Sequence, residues 1–150
     1  MRPGRPDFYN TGRGCMNTGI IRHGFVLILL ALISGLFIQA MPIPRLGLSA
    51  HTIGILSGVL LLAIGAVWPS FVLSVRQKRL MYWSWVYSSY MNWLGCLLGA
   101  VTGAGRSTPI ASDGVVGAPV ADAVVGMMLL TVVIASFIAA GLSIFGLRNL

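Results

Sequence analysis

Acidic side chains are nearly missing from this chain of 150 residues: three acids, Asp7, Asp113 and Asp122, stand against ten Lys and Arg. That leaves little room for the paired carboxylates of general acid–base work, and no Ser-His-Asp order stands out. Cysteine is scarcer still. Cys15 lies in the polar N-terminal stretch and Cys96 in mid-span, a span's depth away, which argues against a disulfide. With no CxxC and no His-Cys cluster, a zinc site lacks support. Gly103-Ala104-Gly105-Arg106-Ser107-Thr108 is glycine-rich but has neither a G-K-[ST] ending nor a preceding strand, so it makes a poor phosphate loop. No internal repeat is evident, which removes the ground for a transporter built from inverted repeats. One mid-membrane amide and no acid pair offer little for ion coupling.

What is present is apolar. Hydrophobic residues make up 57% of the chain and charged residues 9%, with a mean hydropathy of +0.89. This composition belongs to a membrane protein. The net charge of +7 does not point to nucleic acid, because the basic residues punctuate apolar segments instead of forming a stripe on a polar domain.

The expected fold class is all-α, a bundle of four transmembrane helices, with two parts to the chain. Residues 1–22 read as a disordered basic tail, carrying Arg2, Arg5, Arg13 and Arg22. Residues 23–150 form the membrane domain, with spans near 24–40, 49–73, 80–101 and 119–147. The apolar run after the tail ends at Met41-Pro42-Ile43-Pro44 without an A-x-A-like cleavage site, so it is expected to stay as an anchor. Ser49 is a plausible N-cap of the second span, and Pro69 bends or ends its last turn. Arg76, Lys78 and Arg79 form a basic loop before the third span, which opens on the aromatic belt Tyr82, Trp83, Trp85 and Tyr87. Residues 103–118 are a Gly-rich loop. With four spans, the tail, the middle loop and Arg148 share one side, and only Arg45 and Arg106 lie on the other. The positive-inside rule then places both termini in the cytoplasm, in a bacterial inner membrane.

The stretch from Leu48 to Gly58 is where chemistry is most expected. On a helix, His51, Gly54, Gly58 and Gly65 fall within about 60° of one another. A face without side chains beside an imidazole admits either something flat and large or a neighbouring helix. Neutral imidazole is the commonest metal and haem-iron ligand, and the plain alternative is a hydrogen bond to a neighbouring helix. Gly54 and Gly58 also make a G-x-x-x-G pair, whose most general meaning is close helix packing. His23, at the other mouth of the first span, lies too far from His51 for a bis-histidine haem in one chain.

The third span carries Ser84, Ser88, Asn92, Gly95, Gly99 and Thr102 in a stripe roughly 80–100° wide. Helix packing explains most of it. Asn92 differs, because a full amide unpaired in hydrocarbon costs several kcal/mol. It needs a partner, and a polar substrate or buried water qualifies. A pocket open to the non-cytoplasmic side, lined by His51, Ser57, Asn92 and the loop, is geometrically allowed. Asp122, in the first turn after Pro119, is expected to complement the helix dipole.

Several of these segments resemble a known family. Pro44-Arg45-Leu46-Gly47-Leu48-Ser49-Ala50-His51, Tyr90-Met91-Asn92-Trp93-Leu94, Thr102-Gly103-Ala104-Gly105 and Pro109-Ile110-Ala111 are similar, in order and spacing, to the hydroxylaminobenzene mutases. The styrene oxide isomerases look like more distant relatives. The resemblance implies a four-helix membrane enzyme without net redox chemistry, turning an aryl hydroxylamine into an aminophenol or an aryl epoxide into an aldehyde. From the isomerases it implies haem b in a trimeric assembly, with one histidine on the iron and ferric iron acting as Lewis acid. His51 matches that histidine and Asn92 the polar residue of the third helix. Where the mutase motif has an acid two positions after the histidine and an asparagine six positions after it, this chain has Ile53 and Ser57.

The expectation is therefore a homo-oligomeric membrane isomerase acting on a small aromatic substrate that enters from lipid. His51 holds haem iron, Gly54 and Gly58 flank the cofactor, and Asn92 and Ser57 support catalysis. The competing reading is a non-catalytic membrane subunit or scaffold that packs through its Gly-rich faces.

Overall fold

The computed structural model describes residues 16–147. Most of the expected tail, with Cys15, lies outside the described residues, as does Arg148. The described residues form four long helices and one short one, with no strand among them: α1 (Thr18–Gly35), α2 (Pro44–Ala66), α3 (Val75–Thr102), α4 (Pro109–Ser112) and α5 (Pro119–Leu147).

Local capping moves three expected boundaries. Helix α1 starts at Thr18, ahead of Gly24, because the Asn17 side chain accepts from the Ile20 N–H at 3.2 Å and the Asn17 N–H reaches the Gly65 carbonyl at 3.0 Å. Arg22 and His23 are therefore helical. Helix α2 starts at Pro44, where a missing N–H costs nothing. Ser49 is thus not its cap; its hydroxyl donates to the Arg45 carbonyl inside the helix. The same helix ends at Ala66, and Pro69 lies in a short 3-10 turn at Trp68–Ser70. Ser74 and Gln77 close a capping box at the head of α3, so Arg76, Lys78 and Arg79 occupy its first turns, not a loop. The S-x-x-Q spacing that makes this box was visible in the chain.

Three helices are long and apolar enough to cross a membrane: α1, α2 and α5, with mean hydropathies of 1.8, 1.9 and 2.5. Helix α3 has the length, 28 residues, or about 42 Å. Its composition is more polar, with three cations near its start and Ser, Tyr and Asn along its body.

Successive helices run antiparallel, and the packing order is α1–α2–α3–α5. Helices α1 and α5 share no extensive interface, so the four helices form an open row. The seams explain the order. A Cβ on Gly58 would sit 2.8 Å from the Gly24 carbonyl oxygen, and one on Gly65 would sit 3.1 Å from that of Asn17. Only bare backbone lets α1 and α2 approach so closely. Helix α3 joins α5 through polar pairs: Trp85 Nε1–H donates to Ser143 Oγ at 3.0 Å, and the Tyr87 and Thr131 hydroxyls meet at 2.9 Å. One core cluster, of Ile20, Leu27, Leu61, Ile64, Phe71 and Met81, fills the end where the chain enters α1. A second, of Met41, Ile43, Leu46, Ala50, Cys96 and Ala100, fills the opposite end. Large apolar side chains such as Phe25, Leu36, Leu56, Phe137 and Ile144 face outward, as a lipid-embedded surface requires.

Candidate functional site at His51 and the α2–α3 pair

His51 sits two turns into α2, part-buried, with its ring on α1. Its Nδ1 lies 2.7 Å from the Ala31 carbonyl oxygen. A carbonyl only accepts, so in the neutral ring Nδ1 carries the proton and Nε2 keeps a lone pair. Gly35 makes this possible: a Cβ there would come within 2.5 Å of Nδ1. The arrangement fixes the tautomer and leaves Nε2 able to bind a metal or accept a hydrogen bond.

The small-residue face beside His51 admits a helix. A Cβ on Gly54 would lie 2.6 Å from Ala31 Cβ and 2.7 Å from Trp93 Cδ1, and one on Gly58 2.5 Å from Ile28 Cγ1. Within the chain, then, Gly54 and Gly58 pack against α1 and Trp93, the neighbouring-helix reading of that face, and helix burial satisfies the Gly stripe.

Asn92 and Ser57 are both half-buried. Neither side chain has a hydrogen bond among the described residues, and neither is sealed from outside. They remain available to a substrate or water. Trp93 packs on Gly54, so Asn92 lies at the depth of α2's Gly54–Ser57 turn, about 5–9 Å along the axis from His51. The ring of His51 lies on α1, whereas Asn92 shares its face of α3 with Gly95, Cys96 and Gly99, which pack against Leu129 of α5 and Leu46 of α2. The expected pocket uniting His51, Ser57, Asn92 and the loop does not form among the described cavities.

Asp122 behaves as a structural residue. It is 4% exposed, and its Oδ1 accepts the Arg106 N–H at 3.1 Å, tying the 103–118 loop to the start of α5. Arg45 and Asp113 form an ion pair that holds the same loop to α2.

Reasoning from sequence missed a cavity of about 490 Å³ between α1 and α3, lined by His23, Val26, Trp83, Val86, Tyr87 and Tyr90 with Arg22 at its side. Tyr90 donates its hydroxyl to the His23 carbonyl at 3.2 Å and lies 3.3 Å from His23 Nδ1. The signal available was the helical spacing of Trp83, Tyr87 and Tyr90, of which the first two were read only as part of an interfacial belt.

No solved structure matches the chain. Two curated relatives, both from Ectopseudomonas oleovorans, do. Hydroxylaminobenzene mutase HabB is 34% identical over 131 residues, covering 87% of this chain and 80% of the relative. Hydroxylaminobenzene mutase HabA is 34% identical over 133 residues, covering 88% and 98%. The family model for styrene oxide isomerase matches residues 16–148. With the match running from just before α1 to just past α5, this chain belongs to the styrene oxide isomerase family.

Proposed function

We propose that this protein is an integral membrane isomerase of the bacterial inner membrane that rearranges a small aryl hydroxylamine to an aminophenol, crossing the bilayer four times with both termini cytoplasmic. Two relatives named for that activity align over nearly nine-tenths of the chain, and this is the observation that carries the reading. An aryl epoxide is the second substrate class, favoured by the family model. Entry from lipid suits both, since the helices expose apolar faces around the α2–α3 pair.

His51 is the residue we assign to haem b. No group of three His, Cys, Asp or Glu side chains gathers among the described residues. A single imidazole of fixed tautomer suits a metal that brings its own in-plane donors, as porphyrin iron does. When bound, ferric haem supplies a Lewis acid for the substrate oxygen. The Ala31 carbonyl raises the basicity of the imidazole and holds its orientation. Asn92 and Ser57 have free donors and acceptors to hold the polar end of the substrate as charge develops on it.

No hydrogen bond among the described residues joins His51 to Asn92, and residues from a second copy would complete a site that uses both. A homo-oligomer, with a trimer as the family-derived expectation, meets that need. Ser57 stands where the mutase motif has an asparagine, and Ile53 where it has an acid; a shorter polar reach there points to a substrate with fewer hydrogen-bonding groups.

The test is an absorption spectrum and turnover of phenylhydroxylamine by detergent-purified protein from haem-replete cells. We expect a Soret band and aminophenol formation, both lost in His51→Ala with helicity unchanged. Turnover that persists in a colourless His51→Ala protein would remove iron from the assignment. A folded wild-type protein inert toward both substrate classes would remove the enzyme.

A further inference from the structure

Charge is divided unevenly between the two ends of the molecule. The end where α1 and α3 begin carries Arg22, Arg76, Lys78 and Arg79, and among the described residues it has no acid. Asp113 and Asp122 both lie at the other end, where the first pairs with Arg45 and the second accepts from the Arg106 backbone. Among the described residues, none of the four cations at the α1–α3 end has an ion pair or hydrogen bond.

The cavity of about 490 Å³ opens from this end along the α1–α3 groove. One wall is α1, with Arg22 and Val26. The other is α3, where Arg76, Arg79, Trp83, Tyr87 and Tyr90 recur three or four residues apart and so share one face. The groove is thus cationic at its mouth and apolar along its length. Side chains tilt toward the N-terminus of their helix, and both helices start at this end, so Arg22 and Arg79 lean toward the headgroup region. A basic mouth on an apolar interhelical groove is the complement of an amphiphile with an anionic head.

We propose that this groove seats one anionic phospholipid, its phosphate drawn to Arg22 and Arg79 and an acyl chain lying along Val26, Trp83 and Tyr90. Bound there, the lipid neutralises an end of the protein whose described residues carry no acid. It also covers the part-buried His23–Tyr90 pair, closing the open side of the helix row where α1 and α3 touch only lightly.

The experiment uses the full chain in vesicles and reads tryptophan fluorescence, with Trp83→Phe subtracted to isolate the groove. Phosphatidylglycerol brominated on its acyl chain is compared with phosphatidylcholine brominated at the same carbons. Expected is a several-fold lower mole fraction of phosphatidylglycerol for half-maximal quenching of Trp83, a difference that vanishes in the R22Q/R79Q double variant. Both arginines are exposed and unpartnered, so the variant keeps the fold, which circular dichroism checks. Equal quenching by the two lipids overturns the proposal, as does a preference that survives the double substitution. Absence of quenching by either lipid, with cross-links between copies at Trp83, also overturns it and gives the groove to a second copy.

Discussion

Gly35 has no side chain, and the ring of His51 fills the space a Cβ would take. A valine at this position therefore pushes the imidazole off the Ala31 carbonyl. We expect Gly35→Val to lower iron occupancy, read as Soret absorbance per protein, with the histidine itself still present; an unchanged spectrum would show that the Ala31 contact does not orient the ligand. Gly54→Leu acts differently. Its side chain would collide with Ala31 and Trp93, and overpacking of this kind costs about 1–3 kcal/mol or more, visible as a lower midpoint of unfolding. Gly141, with open space around it, is the control: Gly141→Ala is expected to leave stability level or raise it by about 0.5–1 kcal/mol. His51 was legible in the sequence as an imidazole at the head of an apolar span with small residues at helical spacing after it. Its tautomer was not, because that depends on a carbonyl twenty residues earlier in the chain, brought beside it only by packing.

At the level of the element, boundaries follow caps more closely than hydropathy. The apolar pattern put spans where α1, α2, α3 and α5 lie, but started the first six residues late and the next two five residues late, and left the Arg76–Arg79 cluster in a loop. Asn17 and the Ser74–Gln77 box are polar, so a hydropathy scan passes over them while the backbone donors they satisfy fix the first turn. Ser74→Ala is expected to cost about 1 kcal/mol and to fray the turn bearing the three cations, read as faster hydrogen exchange at residues 75–79. Asp122 tests the other end. Asp122→Asn keeps an acceptor for the Arg106 N–H, whereas Asp122→Leu leaves that donor unpaired at a cost of about 1–3 kcal/mol. Similar stability of the two variants would mean the loop is held by the Arg45–Asp113 pair instead.

For the whole molecule, the open row has a consequence for topology and assembly. Among the long helices, α5 packs chiefly on α3, and only 17% of its most apolar stretch is buried, so most of that helix faces lipid or another copy. Four crossings place Ser74 and Gly114 on opposite faces of the membrane. Single cysteines at these positions, in a background without Cys15 and Cys96, should react with an impermeant maleimide from opposite sides. Labelling of both from one side would mean that no crossing separates them, which takes α3 out of the bilayer and leaves three crossings.

The amino-acid sequence alone settled the helical class, the apolar segments, the isolation of His51 and the small residues that accompany it. These are local properties: transfer of a side chain into hydrocarbon and the spacing of positions on one helix depend on nothing distant. Only the tertiary structure decided which helix lies on which stripe. It put α1 on the Gly54–Gly58 face, left the row unclosed and opened a groove ending in arginines. The reason is that a bare-backbone stripe specifies close approach without specifying the partner, and the choice is made by shape matching between segments far apart in the chain.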